Sequence, residues 1–349
     1  MSQMREFFTK CGKKIKDFFA KMTVEVNEKE DKEGWSLGDL LATVLRTMKL
    51  LWDVLLVFAL GGLLFGAGIA IGYAASLFNE TETPDPTQLV QQVRNISSVS
   101  KISYSDGSII SDIDSDLIRI PVQKDAISDN VKKAVIATED ENFNSHNGVV
   151  PKAVIRATLG SVAGVGSSSG GSTLTQQLIK QQVVGDAPTF SRKAAEIIDA
   201  LALERVMDKD EILTTYLNVS PFGRNNRGQN IAGVEAAAQG IFGVSAKDLT
   251  VPQAAFIAGL PQSPIVYSPY ASDGSLKTQE NQALGLDRAK DVLYNMYRTG
   301  AISKEEYDQY SQYDLSKDFL PSNGIEKTPH DYLYFQAVSE AEDAMYEIG

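Results

Sequence analysis

AVIATEDENFNSHNG, residues Ala134 to Gly148, is the stretch on which the reading of this chain turns. An apolar run delivers two adjacent acids, Glu139 and Asp140, followed by Phe143, one of only two histidines (His146) and a turn glycine, Gly148. A carboxylate at the mouth of an apolar segment is partly desolvated, which suits it to accept a proton. The same letters also describe a helix that ends in solvated acids before a loop. The rest of the chain has to decide.

Downstream, Val149 to Val165 is apolar apart from Lys152 and Arg156, suited to packing or to lying against an outer leaflet. LGSVAGVGSSSGGS, Leu159 to Ser172, is too rich in Gly and Ser for regular structure and lacks the Gly-Lys-Ser/Thr ending of a nucleotide-binding loop. It reads as a mobile loop leading into GGSTLTQQLIKQ, Gly170 to Gln181. There Ser172 or Thr173 can cap a helix whose free N–H groups make an anion site. Thr173, Gln176, Gln177 and Lys180 share one helical face, Leu174 and Leu178 another. An amphipathic helix with a solvated face is the plainer alternative.

In SRKAAEIIDALALERVMDKDEILTTYLN, Ser191 to Asn218, Ser191 caps a helix, and Arg192 and Lys193 stand one turn before Glu196. Two cations beside one carboxylate form either a surface ion-pair cluster or a pyrophosphate clamp, with Glu196 able to organise a divalent metal. In NVSPFGRNNRGQNIAG, Asn218, Arg224, Asn225, Asn226 and Arg227 read as a polar loop facing sugar or phosphate, or simply solvent. From Ile127 onward the pattern is helical, notably at Ala194 to Val206, Lys209 to Leu217, Gly233 to Gln239 and Val251 to Leu260. No β-α alternation recurs, so a mainly α domain is expected. Upstream, ISYSDGSIISDI has the alternation and Asp-Gly turn of a short hairpin.

Further upstream, Val54 to Leu77 is 24 residues without a charge, matching one bilayer-spanning helix. About fifty residues precede it, which fits a cleavable signal peptide poorly. Arg46, Lys49 and the lysines at 10, 13, 14, 16 and 21 precede the span, and Glu80, Glu82 and Asp85 follow it. The positive-inside rule therefore puts the N-terminus in the cytoplasm. Phe8, Cys11, Ile15, Phe18 and Met22 recur at helical steps among lysines, as in a basic amphipathic helix or a solvated tail. TETPDPTQ, Thr81 to Gln88, reads as linker.

Composition removes several classes. Lys and Arg outnumber acids 10 to 8 in the first 49 residues but are outnumbered 23 to 37 beyond them, so no nucleic-acid partner is expected for the main body. One cysteine excludes an internal disulfide, and two histidines with it exclude the usual zinc sets. Any metal would be held by oxygen.

The motifs stand in a telling order: EDxxFxxHxG (Glu139 to Gly148), GGSTLTQQLxK (Gly170 to Lys180), RKxxE (Arg192 to Glu196), KxEIxxxYLNxxxxG (Lys209 to Gly223), and GxxAAAxxxFG followed by LxxxQAAxxAGLPQSP (Gly233 to Pro264). Over roughly Ile102 to Pro269 they resemble the peptidoglycan glycosyltransferase domain of class A penicillin-binding proteins. The resemblance implies a lysozyme-like, mainly α-helical fold with two lobes around a cleft, preceded by one transmembrane helix. It also implies polymerisation of lipid II into β-1,4-linked glycan strands with release of undecaprenyl pyrophosphate, and sensitivity to moenomycin.

In that scheme Glu139 is the general base for the acceptor hydroxyl. The leaving pyrophosphate is met by Lys180, Arg192, Lys193, Thr173 and Gln177, with Ser172, Gln176, Asn218 and Arg224 also in the substrate site. Glu196 is catalytic and a candidate holder of Mg²⁺ or Mn²⁺ together with pyrophosphate oxygens; no organic cofactor is expected. Asp140, Phe143 and His146 shape the pocket. Expected partners are lipid II, the growing strand, the bilayer and cell-wall synthesis or division proteins, at a bacterial plasma membrane with the catalytic domain outside. The implied division is a cytoplasmic tail (1–49), a span (50–78), a linker (79–101), the catalytic domain (102–270) and a connecting region (271–349) towards a transpeptidase.

Some features depart. Gln181 replaces a common Asn, and Ile241 precedes Phe242 where an aromatic pair is common. S-x-x-K at Ser98 to Lys101 and S-x-N at Ser128 to Asn130 match transpeptidase letters, but no K-T-G exists and both lie upstream, so they read as chance. The chain stops inside an apparent helix, and continuation into a transpeptidase is expected. The rival readings are a lytic muramidase on the same fold and a non-catalytic membrane-anchored scaffold.

Overall fold

The computed structural model describes residues 37–80, 84–96, 101–103, 109–112, 117–153 and 171–323, with isolated helical positions in both termini. Apart from Lys13, Lys16, Asp17 and Ala20, the amphipathic segment from Phe8 to Met22 lies outside the described residues, as do the Gly/Ser-rich loop before Gly171 and most of the chain after Asn323. Two compact units divide it, residues 1–75 and 76–349.

Helix α1, Leu37–Glu80, is 44 residues long. Within it Leu40–Gly66 has a mean hydropathy of 2.0 and no buried residues, which makes it the one helix among the described residues long and apolar enough to cross a membrane. This segment starts ten residues before the expected span of 50–78. LLATVL (Leu40 to Leu45) is itself apolar, and Arg46, Lys49 and Asp53 are isolated charges that a continuous helix carries.

The presumed linker is corrected by helix α2, Pro86–Arg94. Asp85 accepts a hydrogen bond from the Thr87 N–H at 2.9 Å, and Pro86 occupies the first helical position, where its missing N–H costs nothing. Leu89 and Val93 are buried in the main core. Strands β1 (Lys101–Ser103) and β2 (Ile109–Asp112) pair antiparallel, as the Asp-Gly turn suggests. Strand β3 (Leu117–Arg119) pairs in parallel with β5 (Asn230–Ala232), which pairs antiparallel with β4 (Pro221–Arg224).

The remaining described structure is mainly helical. Helices α3 (Asp129–Glu139), α4 (Leu174–Ile179, continuing as a wider turn over Lys180–Val184), α5 (Phe190–Leu203) and α6 (Lys209–Val219) carry the motifs. After them come α7 (Val234–Ala237), α8 (Val251–Gly259), α9 (Pro264–Tyr267), α10 (Gln279–Arg298) and α11 (Lys304–Tyr310). Helix α8 is buried continuously from Pro252 to Gly259, as a helix apolar all round but for Gln253 must be. A Cβ on Gly259 would lie 2.9 Å from Cγ of Arg288, so this glycine lets α10 approach closely.

The core also moves the expected boundary at residue 270. Ala289, Val292, Leu293 and Met296 of α10 are buried, and the rings of Phe242, Phe256 and Phe319 pack at centroid distances of 5.1 to 5.9 Å. Each of these side chains larger than Ala289 contributes about 2 kcal/mol on burial, so residues as far as Phe319 belong to the core.

Helix α5 buries one acid without compensation. Asp199 is 7% exposed and makes no hydrogen bond or ion pair with another described residue; burial pushes its carboxyl pKa up from 3.8. A raised folded-state pKa means that ionisation favours unfolding, so stability falls as pH rises above about 4. Asp199→Asn is therefore expected to raise the urea midpoint at pH 7 and to lose that advantage as pH falls towards 4. A midpoint gain independent of pH would contradict this.

Candidate active site

The catalytic stretch is held by its second acid. Glu139 is the last residue of α3, and Asp140 leaves the helix with extended φ. Oδ2 of Asp140 accepts from the Leu174 N–H at the start of α4 and from His146 Nε2, both at 2.9 Å. Asp140 is thus the anion at this helix N-terminus, where the dipole and free N–H groups favour negative charge. The expected substrate-anion site at these N–H groups is corrected accordingly.

The cap is closed as well. Thr173 donates to the Gly148 carbonyl at 2.5 Å and accepts from the Gln176 N–H at 3.1 Å. Gln176 returns its Oε1 to the Thr173 N–H at 3.1 Å, completing a capping box. Gly148 has φ +87, and a Cβ there would stand 2.5 Å from the Ala200 carbonyl oxygen, so only glycine lets the turn reach α5. Phe143 is fully buried below, with Lys209 Nζ 4.5 Å from its ring centroid.

Docking Asp140 at α4 sets Glu139 beside Gln177. The Gln177 amide donates to Oε2 of Glu139 at 2.9 Å, and its Oε1 accepts from the Tyr216 hydroxyl at 3.1 Å. Burial, and then the Glu139 charge, hold the Tyr216 phenol above its usual range, so it remains a donor. Glu139 Oε1 faces the Arg288 guanidinium at 3.8 Å, with both side chains 17% exposed.

The RKxxE motif forms a compact charge cluster on α5. Glu196 is 1% exposed and accepts from Arg192 at 2.7 Å, from Gln176 at 3.1 Å and from Lys193. Lys193 also donates to Ser172 Oγ at 2.9 Å, and Arg192 Nε donates to the Ala187 carbonyl at 2.5 Å. Both Glu196 oxygens are therefore spent on protein donors, two of them cationic. This donor set does not fit direct ligation of Mg²⁺ or Mn²⁺ by Glu196, and no cluster of three metal-ligating side chains occurs among the described residues. The Lys180 ammonium pairs with Asp186 at 2.7 Å.

Of two further expected site residues, Asn218 has its side chain engaged elsewhere and Arg224 is bonded through its backbone. Asn218 is buried, its Oδ1 accepting from the Val122 N–H at 2.9 Å and its Nδ2 donating to the Val122 carbonyl at 2.8 Å, which clamps the chain after β3. Arg224 lies on β4, where its N–H donates to Ser268 and its charge helps to lower the pKa of Lys277, after burial, which is the larger cause. Asn225 is buried and accepts from the N–H groups of Arg227 and Gln229, so it shapes the loop internally. Ile241 is fully buried, and Gln181 accepts from Ser220 at 3.5 Å.

A family model described as Transglycosylase matches residues 106–297, more than half of the chain. The chain belongs to the transglycosylase family. Among curated relatives, penicillin-binding protein 1A of Clostridium perfringens (strain 13 / Type A) is 34% identical over 300 residues, covering 83% of this chain and 42% of that protein. Penicillin-binding protein 1A of Escherichia coli (strain K12) is 34% identical over 255 residues, 73% of this chain and 28% of its own. A crystal structure of penicillin-binding protein 1A from Haemophilus influenzae aligns over 70% of this chain and 24% of its own, with 22% identity and a TM-score of 0.37. This transglycosylase chain spans less than half the length of the curated relatives it matches.

The transglycosylase match ends at residue 297, inside α10, and so takes in Arg288. Arg288, Tyr216, Glu204 and Lys209 had no assigned role in the sequence reading. Tyr216 stands within a quoted motif, and only its neighbours in space reveal its work. Glu204 accepts from Thr175 at 2.5 Å, pairs with Lys209 at 2.5 Å and lies 3.9 Å from His146 Nδ1, bracing the turn that follows Glu139.

Removing a partner from a buried charge cluster costs more than removing one neutral donor. Glu196→Gln is expected to lower the unfolding free energy by about 3 kcal/mol, and Tyr216→Phe by about 1 kcal/mol. Urea titrations followed by circular dichroism measure both, and equal losses would contradict the assigned roles.

Proposed function

We propose that the chain is a peptidoglycan glycosyltransferase that polymerises lipid II into β-1,4-linked strands and releases undecaprenyl pyrophosphate. The observation that carries this reading is the division among three carboxylates. Asp140 is spent on a helix N-terminus and Glu196 on two cations, which leaves Glu139 Oε1 as the acceptor open to a substrate proton.

In the reaction, an acceptor-sugar hydroxyl donates its proton to Glu139 and its oxygen bonds to the donor's anomeric carbon. The bond from that carbon to pyrophosphate breaks on the opposite face, and the electron pair leaves with the phosphate oxygen. Arg192, Lys193 and Lys180 offset the charge that develops there, so the leaving group needs no proton. Glu196 holds the first two cations in place. Gln177 fixes the rotamer of Glu139, and the Arg288 guanidinium faces its other oxygen at 3.8 Å. A lytic muramidase would have no use for a membrane span or for cations gathered to meet a pyrophosphate.

Helix α1 fits a single span with a cytoplasmic N-terminus and an extracytoplasmic catalytic domain, since the basic flank precedes it. The lipid-linked substrate then meets the site at the surface of the plasma membrane, where the bilayer and other cell-wall proteins are its partners.

Polymer formation from labelled lipid II tests the proposal. Wild-type chain is expected to yield glycan strands, and Glu139→Gln to lose at least about a hundredfold in rate, the scale of general base catalysis. Unchanged activity in Glu139→Gln would remove Glu139 from the mechanism, and soluble fragments released from finished peptidoglycan would favour the muramidase.

A further inference from the structure

The cations assigned to the pyrophosphate are held in two different ways. Arg192 and Lys193 are tied to Glu196, whose side chain is 2% exposed and cannot swing away without unpacking α5. Lys180 is tied to Asp186, whose side chain is 87% exposed, while that of Lys180 is 45% exposed. Asp186 lies on the short loop between the Lys180–Val184 turn and α5. That loop begins at Gly185, which has φ +72 and no atoms crowding its Cβ position. The residue after Asp186, Ala187, offers its carbonyl to Arg192 Nε at 2.5 Å. The hydrogen bond and charge of Lys180, with a smaller contribution from Arg192, hold the Asp186 carboxyl below its usual range.

One loop therefore presents an anion and a carbonyl to two cations of the clamp. Resting on the reading of these cations as the pyrophosphate site, we propose that Asp186 is a resident anion that occupies Lys180 until the substrate's pyrophosphate displaces it, and so sets the affinity of the clamp. An exposed pair is weak enough to exchange, and a pyrophosphate with more charge and more acceptor oxygens outcompetes one carboxylate. The permanent half of the clamp stays assembled while the removable half opens.

Two readouts separate this inference from the function on which it rests. Binding of farnesyl pyrophosphate to the full chain in detergent needs no polymerisation, and KM for lipid II needs it. Asp186→Asn is expected to lower both the Kd and the KM about two- to fivefold, the scale of an exposed ion pair. In a Lys180→Gln background the same substitution is expected to change neither. Unchanged or raised values for Asp186→Asn would overturn the inference, and so would an equal drop in the Lys180→Gln background, which would reveal only a general charge effect. If the wild-type chain makes no polymer while Asp186→Asn still binds farnesyl pyrophosphate more tightly through Lys180, the resident-anion inference holds and the proposed function fails.

Discussion

The site depends on one carboxylate docking at one helix end. Asp140 satisfies an N–H at the start of α4 and a ring nitrogen of His146, and this contact joins the end of α3 to the GGSTLTQQ helix. Everything that follows is positional. With Asp140 fixed, its neighbour Glu139 can only project towards Gln177, and Gln177 is in turn oriented by a buried phenol. Burial makes these contacts exacting, because a donor or acceptor left without its partner there costs about 1–3 kcal/mol.

Adjacent acids thus receive opposite tasks from their surroundings. Asp140 is surrounded by donors and is structural. Glu139 has one oxygen bound by Gln177 and one facing Arg288. Glu196, a third acid, is enclosed by Arg192, Lys193 and Gln176 and acts by holding cations in place. In the proposed reaction Glu139 alone takes a proton and the cations meet the leaving group, whereas a retaining enzyme needs a second carboxylate as nucleophile.

Much of this was legible in the letters. Glu139, Gln177, Arg192, Lys193 and Glu196 belong to motifs whose spacing alone brings the last three together on one helical face. The pairing of β1 with β2 was expected from alternating letters around an Asp-Gly pair. The tasks of Asn218 and Asp140 were not legible, because a polar side chain looks the same in sequence whether it faces substrate or a backbone group distant in the chain. The Asn218 clamp on Val122 spans 96 positions. The packing of α2 and α10 against the core was not legible for a related reason. Asp85-Pro86 is a helix-start signal that the surrounding Thr and Glu residues made look like linker, and the apolar stripe of α10 could not be joined to the core before α8 was seen to be buried on all sides.

In the proposed mechanism one carboxylate does the chemistry from the face opposite the leaving pyrophosphate. The anomeric configuration of the newly formed linkage tests this most directly, read by proton NMR on polymer made from α-linked lipid II. The account predicts β linkages throughout, from a single displacement with inversion. A polymer with α linkages would mean two displacements and a second nucleophilic carboxylate, and would contradict the roles given to Glu139, Asp140 and Glu196.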